Sequence, residues 1–534
     1  MKQLRKAWHS TPRKLLPCLI GAVAFTFTAQ IQAGDSYSKL HISEQTDEPV
    51  LEHIDQEDLN TLTMWNMLEA FTTAFDVGDE LFEIPGNELD GIGANVGDGQ
   101  RFAKHPRMDL NGPKQWANHM PPRVTGPNSQ ACTDCHIVPV PDGAGAISMN
   151  NVRDPHRTGK IGDFITRQPP HVFGIGAKQM LAEEMTADLH KIRDEAKAKA
   201  AYLGKPVTRK LVTKGVHFGK IKAYANGDLD TSMVRGINED LILRPLQWKG
   251  VEPTIRSFVR GAENNELGLQ ATELVGVDVD GDYDGVKNEL GVGDITALVI
   301  YQAGQPRPVT KVELADYGLM DLSKEERKQI RKGKKLFKEV MCDSCHRPTM
   351  YLKNSVFSEP SMNATHRDKK FPSGDYPEDH GLKVEYAIKF DITTDMPDNI
   401  IELADGSEVH LGNFEKDEKG RTMVHIFSDL KRHDLGMEVA ESVDEEHTGK
   451  SVFITQPLWG AGSTPPYMHD GRSPTITDAI MHHGGEAKKS RKKFKQLSAE
   501  HKKALVAYVM NNILLLVEEE EDGGDAGDPP PLED

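Results

Sequence analysis

The sequence predicts a mainly α-helical fold with two units, long loops and one small β-hairpin insertion. Three observations lead to this prediction. Two Cys-x-x-Cys-His boxes stand at 132–136 and 342–346. Amphipathic helical patterns run into the second box and close the chain after it. The segments between these patterns are rich in Gly and Pro, which favours loops over a large sheet. We therefore expect each box to organise one unit.

The boxes contain four of the five cysteines in the chain. A disulfide framework would spread its cysteines more widely, and a structural zinc site would need a second ligand pair nearby. A thioredoxin-like motif does not require the histidine. The remaining interpretation is covalent attachment of two c-type haems, with the box histidines as proximal iron ligands. The attachment residues are Cys132, Cys135 and His136 in the first box and Cys342, Cys345 and His346 in the second.

The second unit is predicted as a cytochrome c-like haem domain over 321–516. The stretch "KEERKQIRKGKKLFKEV" places Ile330, Leu336, Phe337 and Val340 on one helical stripe directly before the box. The stretch "LSAEHKKALVAYVMNNILLLVEE" begins at Ser498, a plausible helix N-cap, and has apolar residues at helical spacing. We expect this closing helix to pack across the opening one.

The first unit is predicted over 34–320 and also holds a cytochrome c-like haem domain. The segment before its box contains too much proline and glycine for a helix, so "TLTMWNMLEAFTTAF" upstream is the expected substitute. A helix is expected at "EEMTADLHKIRDEAKAKAAYLG". The alternating "VTRKLVTKGVHFGKIKAYANGD" that follows predicts the β-hairpin insertion.

The ends of the chain predict its compartment. Residues 1–33 combine a basic start, an apolar run and a small-residue end, which is typical of a secretory signal peptide. Cys18 lies early in that run, which disfavours a lipoprotein. No other stretch is long enough for a membrane span. The mature protein is expected in the periplasm, where c-type haem is attached. Residues 517–534 form a predicted acidic disordered tail.

The net charge of −18 disfavours nucleic acid as a partner. One acidic stretch indicates a cation site instead. In "DVDGDYDGVKNELG" the acids Asp278, Asp280, Asp282, Asp284 and Glu289 are spaced as in calcium-binding loops. Starting the loop at Asp278 places Glu289 at the twelfth position, and starting at Asp280 places a glycine at the sixth. The alternative is an acidic surface turn without a cation.

The C-terminal third resembles the bacterial dihaem oxidoreductase family, whose members are labelled peroxidases or thiol oxidoreductases. The family is related to dihaem cytochrome c peroxidases and to the enzymes that mature tryptophan tryptophylquinone. The resemblance rests on "FSDLKRHDLGMEVAE", "TQPLWGAG" and "PYMHDGRSPTITDAIMHHGGEA", with "QWKGVEPTIRSFVRGAENNELGLQ" and "NELGVGDITALVIYQAGQPRP" upstream. It covers 248–513 well and 75–174 more loosely.

The resemblance implies a sixth ligand for the second haem. In the related peroxidases this ligand, usually Met, follows the histidine of the His-Asp-Gly motif by fourteen positions, which leads from His469 to His483. Met481 and His482 are neighbouring alternatives. Two histidine ligands would lower the potential relative to a His/Met pair. Arg472 in the same motif would pair with a haem propionate or lie in solvent.

The resemblance also implies that the first haem is the reactive one. Met149, His156 and His171 are the candidates for its open face, and His156, in a polar loop, could be a removable ligand. Peroxide cleavage needs a group that moves a proton between the two oxygens, and Glu266 matches the stretch where relatives carry such a glutamate. The chain lacks the tryptophan that the peroxidases have after the first box. Trp248 or Trp459 would bridge the haems instead, or a route through a backbone carbonyl and a haem propionate would carry the electron.

Two functions follow from these observations. The first is a haem-dependent oxidoreductase that takes electrons from a periplasmic donor protein at the second haem and reduces an oxidant such as hydrogen peroxide at the first. The second is an electron-transfer cytochrome whose two irons are both six-coordinate. A cofactor-maturing activity is a weaker third. The substrate and the oligomeric state are not predicted.

Overall fold

The computed structural model describes residues 48–517. The predicted signal peptide and almost all of the predicted acidic tail lie outside the described residues. The helices of the described part are α1 (Gln56–Trp65), α2 (Met67–Glu83), α3 (Ile175–Leu203), α4 (Ile255–Ala262), α5 (Thr272–Val275), α6 (Val292–Ala303), α7 (Lys311–Asp316), α8 (Lys324–Glu339), α9 (Ile476–His482), α10 (Lys488–Lys495) and α11 (Ala499–Val509). A π-helix, Glu263–Leu267, directly follows α4.

The strands are short and pair locally. They are β1 (Asn151–Arg153), β2 (Ile165–Arg167), β3 (Val207–Thr213), β4 (Val216–Ala223), β5 (Leu229–Asp230), β6 (Val309–Thr310), β7 (Met350–Leu352), β8 (Val356–Glu359), β9 (Ile388–Asp391), β10 (Ile400–Glu402), β11 (Glu408–His410), β12 (Thr422–Val424), β13 (Arg432–Asp434), β14 (Val452–Ile454) and β15 (Asn512–Ile513). Within residues 48–517 they form one three-stranded sheet, β3-β4-β5, and six two-stranded sheets.

The prediction of a mainly α fold is wrong. The structure is 35% helical and 14% strand, with several small antiparallel sheets. The strands come from the long segments assigned to loops. For example, Phe357 of β8 is paired with Phe390 of β9, and their ring centroids lie 5.4 Å apart. A strand of three or four residues is too short to show a clear alternation of apolar and polar residues in the sequence. Such strands form when folding brings two distant segments together and their side chains pair across the sheet. The predicted hairpin insertion is present as β3 and β4.

The larger core surrounds α2, α3 and α6. Phe75 and Phe82 of α2 pack against Tyr301 of α6, with ring centroids 5.2 and 5.3 Å apart. Gly78 lets the two helices approach closely, because a Cβ atom there would clash with the carbonyl oxygen of Ala297. The break between α1 and α2 falls at Asn66, whose side chain accepts a hydrogen bond from the Leu68 amide at 3.2 Å. The α2 helix then ends fifty residues before the first box, as the composition of the intervening segment predicted.

A second core lies between α8, α9 and α11. Phe337 of α8 packs edge-on against Tyr508 of α11, with ring centroids 5.4 Å apart. Gly333 faces the carbonyl oxygen of Ala504, which permits the close crossing of the two helices. Ser498 caps α11 by accepting a hydrogen bond from the His501 amide at 3.2 Å. The expected packing of the closing helix across the opening one is therefore present.

Two further expectations concern the whole chain. None of the helices between residues 48 and 517 is long and apolar enough to cross a membrane. The division into haem domains at 34–320 and 321–516 stays a prediction.

Candidate haem cavity and acidic loop

The first box is positioned so that its histidine presents one free ring nitrogen. Cys132–Asp134 form a single 3-10 turn, and the His136 amide donates to the Cys132 carbonyl at 3.0 Å. His136 Nδ1 lies 3.2 Å from the carbonyl oxygen of Gly143. Burial lowers the pKa of His136, so the imidazole is neutral. A neutral imidazole that donates through Nδ1 offers Nε2 to a metal.

The second box repeats this arrangement. The α8 helix ends at Glu339, and Cys342–Ser344 form a 3-10 turn. His346 Nδ1 lies 3.1 Å from the carbonyl oxygen of Phe427, and burial lowers the pKa of His346 to about 4. Nε2 of this ring is therefore also available as a neutral ligand.

The four box cysteines are free thiols in this structure. Burial raises the pKa of Cys342 to about 12 and that of Cys132 well above its usual value. Redox-active and metal-binding cysteines are instead held as thiolates by lowered pKa values. The raised pKa values of Cys132 and Cys342 do not favour a dithiol redox centre. The four box thiols are the groups that would form the thioether bonds of two c-type haems.

His483 faces the second box. It lies at the end of α9, and its Nδ1 is 2.7 Å from the carbonyl oxygen of Ala479, so Nε2 is again left for a metal. The His346 and His483 ring centroids are 6.2 Å apart. Metal–imidazole bonds of about 2 Å place two ligating nitrogens about 4 Å apart, with the ring centroids farther apart by two ring radii. The pair therefore fits an iron between the two rings.

The neighbours of His483 point elsewhere. His482 Nδ1 lies 3.4 Å from Glu438 and its Nε2 lies 3.8 Å from Asp478, both towards the surface. Met481 packs in the core between α8 and α11. Among the three consecutive candidates, His483 alone lines the cavity next to His346.

Both boxes open into one continuous cavity of about 580 Å³. Its wall joins residues that are distant in sequence, including Trp248, Trp459 and His171. Trp248 Nε1 donates to the carbonyl oxygen of Gln168 at 2.8 Å. His171 Nε2 lies 3.0 Å from the carbonyl oxygen of Trp459. Both tryptophans proposed as bridges therefore lie in the wall shared by the two sites.

Two glutamates of the π-helix, Glu263 and Glu266, line the cavity near the first box. Glu263 Oε1 lies 3.5 Å from the Cys132 sulfur, and Glu266 accepts a hydrogen bond from the Asn151 amide group. Burial raises the pKa of each glutamate to about 7. Such carboxyl groups can hold or release a proton near neutral pH. The sequence predicted a proton-transfer role for Glu266 but not for Glu263. Their three-residue spacing in "ENNEL" nevertheless places both on one helical turn.

The structure does not bring His156 and Arg472 to the cavity. His156 is exposed, and its Nε2 lies 3.1 Å from the carbonyl oxygen of Asp444. Arg472 forms an ion pair with Asp470 at 2.5 Å. The other two candidates for the open face of the first haem, Met149 and His171, do line the cavity. The cationic side chains in its wall are Arg153, Arg167, Lys178 and Arg491.

The acidic loop brings together three of its five predicted ligands, and a fourth, Glu289, lies near two of them. Oxygens of Asp280, Asp282 and Asp284 lie within 4.8 Å of one another. Glu289 is buried beside them, and burial together with Asp282 and Asp284 raises its pKa to about 10. Asp278 is not part of the cluster, because it is exposed and exchanges hydrogen bonds with Asn288 at 2.8 and 3.1 Å.

Three carboxylate oxygens of this loop are buried without a hydrogen-bond partner. They are Oδ1 of Asp280, Oδ1 of Asp282 and Oε1 of Glu289. Buried carboxylate oxygens without partners are costly unless a cation neutralises them. The donor set consists of oxygens only, which suits a hard cation such as calcium.

Comparison with known proteins agrees with the motifs of the C-terminal third. Residues 412–512 match the di-haem oxidoreductase family. The family model is described as "Di-haem oxidoreductase, putative peroxidase". The matched segment contains His469, His483 and helices α9 to α11, but neither box. The resemblance of this segment to the family is confirmed, and it supports the prediction of a haem-dependent oxidoreductase.

The solved structures found by comparison are distant. One is Kuenenia stuttgartiensis hydrazine synthase pressurised with xenon, at 15% identity and a TM-score of 0.25, covering 56% of this chain and 78% of that chain. Another is a MauG-like protein associated with microbial copper homeostasis, at 16% identity and a TM-score of 0.25, covering 55% of this chain and 78% of that chain. Scores this low carry no argument about fold or activity. No curated protein matches the chain.

Proposed function

We propose that the protein is a periplasmic dihaem c-type oxidoreductase that accepts electrons at its second haem and reduces a peroxide at its first. One observation carries this proposal: both boxes, His483 and two glutamates with raised pKa values line one cavity. When bound, the first haem would supply an iron that reacts with peroxide, and the second would supply a store of electrons. The proposed signal peptide at 1–33 agrees with a periplasmic location.

His346 and His483 would hold the second iron. Each ring donates through Nδ1 to a backbone carbonyl, which fixes the ring plane and keeps Nε2 unprotonated. A rigid pair of neutral imidazoles leaves no position for an external ligand. This unit is therefore suited to electron transfer and not to binding peroxide.

Glu266 is the proposed proton carrier of the first haem site. It would accept a proton from one peroxide oxygen and return it to the leaving oxygen. Asn151 orients its carboxylate, while Arg153 lowers and burial raises its pKa. Glu263 lies on the same turn and is the second candidate for this role.

Trp248, Trp459 and His171 are the proposed contacts between the two sites. The hydrogen bond from His171 to the Trp459 carbonyl joins a segment beside the first box to one that lines the second. This arrangement takes the place of the single tryptophan that the peroxidase resemblance implied after the first box.

The proposed electron donor would approach a basic face beside the second box. We define this face as α8 and α10: α8 carries eight basic and three acidic residues, and α10 carries six basic and no acidic ones. Ser490 of α10 donates to the Met341 carbonyl at 3.2 Å, directly before Cys342. A basic face on a chain of net charge −18 favours an acidic donor protein.

The proposal is tested by comparing peroxide consumption by fully oxidised and half-reduced protein. If the second site stores an electron for the first, half-reduced protein should consume peroxide faster. Equal and negligible consumption in both states, with both irons low-spin throughout, would contradict the peroxidase-like activity. The chain would then be an electron-transfer cytochrome.

Glu266→Gln should lower the rate of peroxide consumption by about a hundred-fold or more, since general acid–base groups contribute about 10²- to 10⁴-fold. The pKa of Glu266 is raised to about 7, so the wild-type rate should rise with pH through that value as the carboxylate forms. This rise should be absent in the variant. Glu263→Gln is the matched variant on the same turn, and Glu418→Gln, at an exposed position outside the cavity and the basic face, is the neutral control. A larger loss in Glu263→Gln would transfer the role to that residue.

We also propose that the acidic loop binds calcium through Asp280, Asp282, Asp284 and Glu289. Burial and neighbouring acids raise the pKa of Glu289 to about 10, and burial raises that of Asp282 to about 7. A carboxyl group whose pKa is higher in the folded than in the unfolded state stabilises the fold at low pH, where it is protonated. This stabilisation is lost as the pH rises through the folded-state pKa. Near pH 7 the loop without a cation therefore lowers stability, and calcium should offset this loss.

Removal of calcium with a chelator should lower the melting temperature, and added calcium should restore it. Ligand at a hundred-fold excess over its Kd stabilises a fold by about 2.7 kcal/mol. Because calcium displaces protons from the carboxyl groups whose pKa is raised, calcium binding at pH 7 should also release protons. This release can be measured in weak buffer. Asp282→Asn should abolish both effects and Asp278→Asn should retain them. An unchanged melting temperature with no metal by elemental analysis would leave the loop as an acidic turn.

A further inference from the structure

A fully buried arginine, Arg123, connects the acidic loop to the π-helix. The residue is 1% exposed. Its Nη2 donates to Asp282 Oδ2 at 2.6 Å and to the Gly268 carbonyl at 2.9 Å. Its Nη1 donates to the carbonyl oxygen of Asn264. A buried guanidinium keeps its position only while a negative charge compensates it. One side chain therefore joins Asp282 to both ends of the turn that carries Glu263 and Glu266.

Asp282 is shared between this arginine and the acidic loop. Its Oδ2 pairs with Arg123, while its Oδ1 is buried and has no partner. Glu289 is divided in the same way. Its Oε2 accepts a hydrogen bond from the backbone amide of Gln270 at 2.6 Å, and its Oε1 has no partner. In each carboxylate one oxygen binds the protein and the other is buried without a hydrogen-bond partner. Two independent carboxylates divided in this way point to a cation between them.

Gln270 forms a second connection. Its side-chain oxygen accepts the amide of Gly281 in the acidic loop at 2.8 Å. Its side-chain nitrogen donates to Asn264 Oδ1 at 3.3 Å and to the Met120 carbonyl at 3.2 Å. The loop is therefore joined to the π-helix through both a charged and a neutral side chain.

The π-helix is also held by the segment that leads into the first box. Thr125 Oγ1 donates to the Asn265 carbonyl at 2.7 Å. The amides of Asn128 and Ser129 donate to the Glu266 carbonyl at 2.8 and 3.2 Å. A π-helix is rare and frequently occurs at functional sites, and these hydrogen bonds hold this one in place. The position of Glu266 relative to Cys132 is thus set by contacts along 123–129, and Arg123 begins that segment.

We propose that a calcium ion in the acidic loop acts as a positioning device for the cavity: by holding the Asp282 carboxylate in place, it anchors Arg123, which in turn holds the π-helix and its two glutamates. Without the ion, the mutual repulsion of Asp280, Asp282 and Asp284 would loosen the loop. Loss of the fixed Asp282 charge would leave Arg123 without its counter-ion. The inference rests on the proposed function for the role of the glutamates, but the mechanical connection is independent of it.

The test is hydrogen–deuterium exchange of the dihaem holoprotein with calcium chloride or with a chelator. Calcium should slow exchange in the peptide covering 262–270 by about ten-fold or more, since anchored segments open less often. Arg123→Gln should still bind calcium, through the remaining carboxylates, but should lose this protection. Arg101→Gln is the matched control, because Arg101 pairs with Asp284 at 2.6 Å and donates its other side-chain hydrogen bonds to the carbonyls of Ile92, Asp284 and Glu88, not to the π-helix. It should bind calcium and keep the protection.

Two outcomes would overturn the inference. One is calcium binding to the wild-type protein with unchanged exchange in 262–270, and the other is no calcium binding at all. Both can be read from the wild-type protein, so the test stands even if Arg123→Gln fails to fold. Peroxide consumption is measured separately. A calcium-dependent π-helix in a protein that does not consume peroxide would support the positioning device and contradict the proposed function.

Discussion

Replacement of Cys132 and Cys135 by serine should give a mature protein with one covalent haem instead of two. Thioether attachment needs both sulfurs of a box, and serine cannot form the bond. Mass spectrometry of the purified protein should show the mass of one haem missing, together with loss of the 1–33 segment in both wild type and variant. The expected loss is complete because the other two cysteines among the described residues, Cys342 and Cys345, belong to the second box.

The matched control is the same pair of replacements at Cys342 and Cys345. Each double variant should keep the haem of the other box. Cores of different composition surround the two boxes, so the two haems should have different absorption spectra. The spectrum of each double variant should therefore be that of the haem at the intact box. A protein that retains two covalent haems after loss of Cys132 and Cys135 would contradict the assignment of the first box.

His483→Met should raise the reduction potential of the second haem on the order of 0.2 V, within the span of about 0.8 V that axial ligands cover. Thioether sulfur stabilises reduced iron relative to imidazole. Spectroelectrochemical titration would measure the shift. The spectrum of the first haem should stay nearly unchanged, because the exchange is local.

His482→Met is the control for this experiment. His482 is adjacent in sequence but lies 3.4 Å from Glu438, on the side away from His346. It should leave both potentials unchanged. If His482→Met moved the potential and His483→Met did not, the ligand derived from the family offset would be wrong.

Local features of the site could be predicted from the sequence. A Cys-x-x-Cys-His box is a covalent motif whose chemistry is contained in five residues, so no tertiary contact is needed to recognise it. The helices beside the second box follow from the same local logic, since Ile330, Leu336 and Phe337 recur at helical spacing. The fold class failed for the opposite reason. Pairing of β8 with β9 joins Phe357 to Phe390 across a long loop, and short strands of this kind carry no periodicity of their own.

Residue roles that depend on distant partners were predicted less well. His156 and Arg472 were selected for their positions in polar motifs, and their side chains lie elsewhere. Glu263 was missed although it lies on the same turn as Glu266. Asp278 belonged to the spacing of the loop but not to its cluster. In each case the motif indicated a residue of suitable chemistry. The direction of its side chain depends on contacts with residues that are distant in the sequence, and the spacing of the motif does not reveal these contacts.

The sequence by itself determined the two attachment boxes, the helices around the second box, the resemblance to dihaem oxidoreductases and the acidic loop. Only the tertiary structure decided that both boxes share one cavity, that His483 faces His346, and that Arg123 joins the acidic loop to the π-helix. Arg123 and Asp282 are 159 residues apart, and Asn151 and Glu266 are 115 residues apart. Covalent motifs and helical periodicity depend on residues close in the chain, whereas a buried ion pair exists only where folding brings two remote segments into contact.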